Sequence, residues 1–374
     1  MKILFVASVY RHFTAFHIPY MKFLQSKGYE VFAVAAEDGR IKKELSQMGF
    51  SCIDIPFSRS PLSKSNIEAY KKLKKLFINE EFKLVHVHTP VASLLTRMAF
   101  RHSKLGSVIY TAHGFHFYKR APLLNWLIYY TIERLAARWT DGLITMNEED
   151  YKRALTMGFE KDAVHYVHGV GVKPLESIIS AEEKKELRQL LDLSEDAVVI
   201  SYVAEINKNK NHMFLLRNWR QIKETAPQAA LLLIGDGELK EEIEHFIDAN
   251  QLLDVRILGY RTDVNDLLGI SDIVSLLSHR EGLPKSIMEA MSVSIPCVVS
   301  DTRGLRDLIT HGENGYVIPH GNDHVLVETF ISLLNDEEKR SKMGAAGYQN
   351  VEPYRLENVL KEYIEIYEDV LGKG

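Results

Sequence analysis

Short apolar runs alternate with amphipathic stretches along the first half of the chain. KILFVAS, EVFAVAA, SCIDIPF, LVHVHT, VIYTAH and GLITMN each read as a strand, and IPYMKFLQSKG and RIKKELSQMG carry helical spacing between the first of them. The second half repeats the pattern with AVVISYVAEI, AALLLIGDG, VRILGY, IVSLLS and IPCVVSD as strands. Such βαβα alternation predicts parallel sheets covered by helices on both faces. The pattern breaks within GVGVKPLESIISAEEKK, at Gly169, Gly171 and Pro174. The expected organisation is a Rossmann-like domain over residues 1–170, a second over 171–352, and a C-terminal helix over 353–374 packing back on the first. In that helix Leu356, Val359, Leu360, Tyr363, Ile366, Tyr367 and Val370 share one face. The fold class is α/β, two doubly wound domains facing a central cleft, with ligands expected beyond the carboxyl ends of the strands.

A length of 374 residues suits two such domains, and 46% hydrophobic with 26% charged residues is the balance of a soluble globular protein. Cys52 and Cys297 are the only cysteines, which excludes a disulfide framework and fits a reducing cytoplasm. The apolar run Ile3 to Tyr10 is short and is followed by Arg11 and His12, so it reads as a first strand and not a signal peptide. No apolar stretch is long enough to span a bilayer.

The net charge of −4 hides an asymmetry: residues 1–170 carry 24 Lys and Arg against 15 Asp and Glu, a balance of +9, and the remainder is −13. A basic half points to an anionic partner. No nucleic-acid module is recognisable, so nucleic acid is not expected, and an anionic membrane surface is the better fit. APLLNWLIYYTIERLAARWTD, with Trp126, Tyr129, Tyr130, Trp139, Arg134 and Arg138, and the lysines of YKKLKKLF (Lys71, Lys72, Lys74, Lys75) are the candidate interfacial surface. The plainer alternative is that the aromatics belong to the core and the lysines are merely solvated.

SHREGLPKSIMEAM, from Ser278 to Met291, sets Glu281 and Glu289 around a Gly-x-Pro turn. Pro284 suits the first position of a helix, and the free amides at that helix start favour a phosphate. Gly282 allows a close backbone approach. Glu289 stands about 7–8 Å beyond Pro284 along the helix axis. Two carboxylates flanking an anion site match ribose and hexose on either side of a diphosphate. For one isolated Glu, a solvated helix start explains the residue as well.

EGLPKSIMEAM resembles the E-x7-E motif of the retaining glycosyltransferases of family 4, which have the GT-B fold. VAEINKNKNH, LLLIGDGELKEEIE, VRILGYRTDV, NGYVIPHGN, LVHVHT and YTAHG stand in the order and spacing of that family, so the resemblance covers essentially the whole chain. It is closest in flavour to bacterial capsule and exopolysaccharide enzymes. The resemblance implies that Glu281 contacts hydroxyls of the transferred sugar, Glu289 contacts the ribose, and amides around Gly282, Leu283, Pro284 and Lys285 hold phosphate oxygens. It places on Lys210 the neutralisation of the leaving diphosphate, a charge that grows as the glycosidic bond breaks. The base is expected along Gly259 and Tyr260. Glu205 stands where the family usually has Arg, so Lys208 is expected to supply the missing charge, or Glu205 to orient Lys210. His113 of YTAHGFHFY is expected near the anomeric centre, and His12 and His17 on the acceptor side, with simple packing as the alternative.

No Asp-x-Asp occurs in the chain, and His86 and His88 are expected on opposite faces of their strand, so no metal and no cofactor are expected. The implied substrates are a nucleotide-sugar, UDP-linked, and a polyprenyl-linked or oligosaccharide acceptor at the inner face of the plasma membrane. Two rivals are a non-hydrolysing UDP-sugar 2-epimerase, which shares the fold, and an inactive scaffold subunit of polysaccharide assembly, suggested by Glu205.

Overall fold

The computed structural model describes residues 1–58, 60–103, 106–119, 121–173 and 179–372. The chain folds as two compact units, one of Met1–Val170 with the terminal stretch from Glu357, the other of Gly171–Leu356. Pro174, expected to break the pattern between them, lies outside the described residues.

The first unit is built on one parallel sheet. Its strands are β1 (Lys2–Val9), β2 (Glu30–Ala36), β3 (Ser51–Asp54), β4 (Leu84–His88), β5 (Ser107–Ala112), β6 (Gly142–Thr145) and β7 (Val164–Tyr166), in the order β3-β2-β1-β4-β5-β6-β7. The chain winds one way from β1 to β3 and the other from β4 to β7, so the order reverses between β1 and β4. Burial on both faces explains the unbroken apolar runs: Ile3, Leu4, Phe5, Val6 and Ala7 of β1 are all solvent-inaccessible. Ser8 N donates to Thr89 Oγ1 at 3.0 Å, tying the end of β1 to the end of β4 at the reversal. Thr89 has a positive φ of 60°, an uncommon conformation for a β-branched residue. The terminal helix Leu356–Gly372 buries Val359, Tyr363, Ile366, Tyr367 and Val370. Glu362 of this helix pairs with His168 Nδ1 at 2.6 Å.

The second unit repeats the plan with β8 (Val198–Val203), β9 (Ala229–Ile234), β10 (Val255–Gly259), β11 (Ile273–Leu276), β12 (Cys297–Ser300) and β13 (Gly315–Ile318), all parallel, in the order β10-β9-β8-β11-β12-β13. Its reversal lies between β8 and β11. The core gathers on both sheet faces around Trp219, Tyr202, Phe330 and Ile287. Two strands were not expected from the pattern. β7 is only three residues long with one of them buried, and β13 lies in a segment rich in turn residues, so neither gives a full apolar run.

Candidate functional site

In the second unit the loops after β8 and β11 flank the strand-order reversal, where open α/β sheets place ligands. Side chains of the loop after β8 bond the backbone of the loop after β11, and one backbone bond runs the other way. Asn209 Nδ2 donates to the Arg280 carbonyl at 2.9 Å, Asn211 Nδ2 to that of Leu277 at 3.2 Å, and His279 N to that of Asn209 at 2.8 Å. Asn207 caps the turn Lys208–Lys210 by accepting from Lys210 N at 3.1 Å. Asn211 adopts the left-handed conformation (φ 53°), which asparagine tolerates better than most residues. The buried Tyr202 hydroxyl accepts from Leu277 N at 2.7 Å and donates to the Lys210 carbonyl.

This lacing brings Lys210 Nζ to 2.6 Å from Glu281 Oε1. Glu281 is 9% exposed and Lys210 is partly buried, so the pair sits at the floor of the loops and not on the open surface. Arg303 Nε holds the Glu281 carbonyl at 3.1 Å. Gly304 (φ +74°) lies directly under the turn: a Cβ there would stand 1.9 Å from the Gly282 carbonyl oxygen. The close backbone approach at this turn is therefore set by Gly304.

The helix Lys285–Ser292 begins one residue later than expected, with Pro284 as its N-cap and no side chain capping its first amides. Leu283 packs against the core and Pro284 is buried, so the turn is anchored from below. Glu289 pairs with Lys285 Nζ at 2.9 Å on the same helix. The two carboxylates thus flank the uncapped helix start, each with its own lysine.

Lys208 and Glu205 are exposed. Among the described residues, Glu205 has no ion-pair partner, and what orients Lys210 is Asn207 and Glu281. Lys208 lies near His279, whose pKa is lowered by burial first and by the Lys208 charge second. The Gly259 carbonyl accepts from Gly235 N at 2.9 Å, and Tyr260 is 64% exposed. Asp236 accepts through its carbonyl from Ile206 N and through its side chain from Gly237 N, both at 2.9 Å, and the following helix begins at Lys240.

In the first unit the reversal between β1 and β4 gathers histidines. His86 and His88 do not point to opposite faces: residues two apart on a strand share a face, and their rings lie 4.2 Å apart. His86 is tied down, sharing hydrogen bonds with Tyr367 Oη (2.9 Å) and Thr111 Oγ1 (2.7 Å). His88 stacks on His17 at 3.8 Å, and both are fully buried with neither ring nitrogen hydrogen-bonded. His17 therefore presents neither ring nitrogen to solvent, where an acceptor would meet it. His12 is half-exposed, and its Nε2 lies 3.2 Å from His113 Nε2. Burial lowers the His113 pKa to about 4, so its ring is neutral at pH 7.

Of the candidate interfacial aromatics, Trp126, Tyr129 and Tyr130 are partly buried against the core. Trp126 packs on Phe117 (5.7 Å) and under the Arg153 guanidinium (4.5 Å), and Tyr129 on His116 (4.8 Å). The helix widens into a π-turn over Trp126–Tyr130, and the outer surface is leucine instead: Leu123, Leu124 and Leu127 are 82%, 63% and 71% exposed. Lys71, Lys72, Lys74 and Lys75 are exposed on the helix Ser65–Asn79, which also exposes Ile67 and Ile78. No helix among the described residues is long and apolar enough to cross a membrane.

Residues 183–350 match the family model described as glycosyl transferases group 1, and residues 2–147 match glycosyl transferase 4-like. The EpsD protein of Bacillus subtilis (strain 168) is 35% identical over 370 residues, covering 98% of this chain and 96% of EpsD. The chain belongs to the group 1 glycosyltransferases. A UDP-Gal:alpha-D-GlcNAc-diphosphoundecaprenol alpha-1,3-galactosyltransferase of Escherichia coli is 29% identical over 279 residues, 73% of this chain and 71% of that one. The structure of Anabaena HepE in complex with UDP-glucose superposes with a TM-score of 0.79 at 18% identity, covering 99% of this chain and 100% of HepE. This glycosyltransferase has the GT-B fold. Sequence reasoning missed the grouping of His88 with His12, His17 and His113. The signal available was the two-residue spacing of His86 and His88, read with the wrong parity.

Proposed function

We propose that this glycosyltransferase moves a hexose or N-acetylhexosamine from a UDP-sugar, with retention of configuration, to a polyprenyl-linked or oligosaccharide acceptor in surface-polysaccharide assembly. The observation that carries the donor half of this reading is the Lys210–Glu281 pair beside the uncapped start of the helix Lys285–Ser292. Lys210, with exposed Lys208 and the helix amides, meets the diphosphate without a metal. Glu281 holds hydroxyls of the transferred sugar, and Glu289 the ribose. The base lies along Gly259 and Tyr260.

The bond between the anomeric carbon and the diphosphate oxygen breaks, and the acceptor oxygen bonds that carbon on the same face. The acceptor proton passes to the departing phosphate oxygen. Lys210 is the fixed cation for the charge that appears there, so its contribution is larger in the transition state than in the ground state. His113, neutral at pH 7, serves as a hydrogen-bonding group near the anomeric centre and not as a cation. His12 contacts the acceptor.

Two comparisons support the choice of substrates: the E. coli relative is named for a UDP-sugar donor and a diphosphoundecaprenol acceptor, and the HepE structure holds UDP-glucose. The exposed leucines at 123, 124 and 127 and the lysines at 71, 72, 74 and 75 would rest on an anionic membrane at the cytoplasmic face, where such an acceptor resides.

The test is a thermal-shift panel of UDP-, GDP- and ADP-sugars without added metal, on the wild type and on Glu281→Ala. A ligand that binds only the folded state raises Tm by mass action. The reading expects a rise with one UDP-sugar that shrinks in Glu281→Ala. No rise with any nucleotide-sugar would overturn it.

A further inference from the structure

We propose that His12, His17, His88 and His113 form a four-imidazole site for a divalent transition-metal ion of the zinc class, at the strand-order reversal of the first unit. One ring nitrogen from each of the four lies within 4.8 Å of all the others. Three loops or strand ends supply them. His12 and His17 follow β1, His88 ends β4, and His113 follows β5. No carboxylate belongs to the group.

The buried members carry the argument. His17 and His88 are fully buried, and all four of their ring nitrogens lack a hydrogen-bond partner. Neutral imidazole nitrogens left unpaired in the interior cost free energy that a bound ion removes. His86 lies beside the group but is occupied by Tyr367 and Thr111, so the set is closed at four.

Four nitrogens around a tetrahedral zinc at 2.0–2.1 Å stand about 3.4 Å apart. His12 Nε2 and His113 Nε2 are already 3.2 Å apart; the others lie within 4.8 Å, so binding an ion would draw them inward and turn the stacked rings of His17 and His88 apart. An all-imidazole set selects zinc, cobalt, nickel or copper over magnesium, calcium or manganese. Four protein ligands leave no open position, so the ion would fix the loops after β1, β4 and β5 and would not activate water. His12 and His113 would ligate through Nε2, the atoms that already face each other, which leaves Nδ1 of each ring for the substrate contacts proposed above; ion binding itself needs neither contact.

The test uses the full chain without a polyhistidine tag, stripped with chelator and titrated with Zn²⁺ or Co²⁺. The proposal expects one tightly held ion per chain, the intense visible bands of tetrahedral Co²⁺, and a higher Tm with Zn²⁺. His12→Ala replaces the half-exposed member and should keep the fold by circular dichroism. It should lose the Co²⁺ bands and weaken Zn²⁺ binding by at least about tenfold. His324→Ala, which removes an exposed histidine beside Glu328, should change neither. If His12→Ala fails to fold, His113→Asn takes its place. Wild type that takes up no ion, or equal uptake and equal spectra in wild type and the folded variant, overturns the proposal and leaves a buried water as the partner of these rings.

Discussion

Lys210 Nζ bonds Glu281 Oε1 at 2.6 Å across 71 positions of sequence, and the pair is the point where the loops after β8 and β11 meet. The residue proposed to take the leaving-group charge and the residue proposed to read the sugar are therefore positioned by each other. Removing either one leaves the other as an unpaired, partly buried charge, which costs more than the pair contributes.

Stability and activity should separate in a mutant cycle on this pair. Lys210→Met and Glu281→Gln singly are each expected to lower Tm, and the double variant to recover part of the loss, because the surviving partner is no longer charged. Transfer should not recover. Lys210→Met is expected to lower kcat by about 10²–10³-fold, the usual cost of one charge-stabilising group. Recovery of kcat together with Tm in the double variant would show that Lys210 acts only through the fold.

Lys208 is expected to stand in for the cation that Glu205 displaces. Lys208→Ala should raise the donor KM several-fold with little change in kcat. The effect should shrink at high salt, since Lys208 is exposed and its field is screened. Glu205→Arg should lower the same KM. Measured KM values that do not move in either variant would remove Lys208 from the donor site.

Much of this was legible in the sequence, and the limits have physical causes. The E-x7-E turn, its helix and Lys210 all lie where apolar runs end, and apolar runs are what the pattern reports. What paired with Lys210 was not legible: Glu205, five residues away, was the near candidate, yet the strand order brings up Glu281 from a different crossover. The histidine group was hidden for the same reason, since β1, β4 and β5 meet only through the sheet order. In the 121–139 segment, aromatic and leucine positions both recur at helical spacing, so the pattern alone left open which face is covered. Trp126 and Tyr129 turn inward, and Leu124 and Leu127 turn out.

The leucine surface gives a direct test of membrane contact. Leu124→Asp with Leu127→Asp removes exposed apolar area at positions 63% and 71% accessible, so Tm should be unchanged. Sedimentation with vesicles containing anionic lipid should fall by about tenfold or more, with the wild-type signal itself weakening as salt rises. Equal sedimentation of variant and wild type would show that this surface does not meet the bilayer.

Gly304 predicts a local failure with a distant residue as control. Gly304→Ala places a Cβ 1.9 Å from the Gly282 carbonyl at a φ of +74°, so the turn carrying Glu281 must shift. Donor binding should drop sharply and Tm should fall. Gly158→Ala also has a positive φ but open space around its Cβ, and should lower Tm slightly without touching donor affinity.

The last prediction concerns acid. His212 is buried, stacks on Tyr202 at 4.3 Å, and has both ring nitrogens unpartnered. Its pKa is lowered to about 4, by burial first and by the Lys210 charge second. The unfolded chain takes up a proton near the ordinary value of about 6.5, whereas the folded one resists until about 4. The stability contributed is therefore complete above about pH 6.5 and is lost as pH falls towards 4, on the order of 3 kcal/mol over the whole interval. His212→Gln has no proton to gain, so its Tm should fall less between pH 7 and pH 5 than that of the wild type. Because the folded ring stays neutral until about pH 4, donor affinity measured on the folded protein should not change through His212 over the same interval. Parallel pH profiles of Tm for the two proteins would assign the acid sensitivity to other buried histidines.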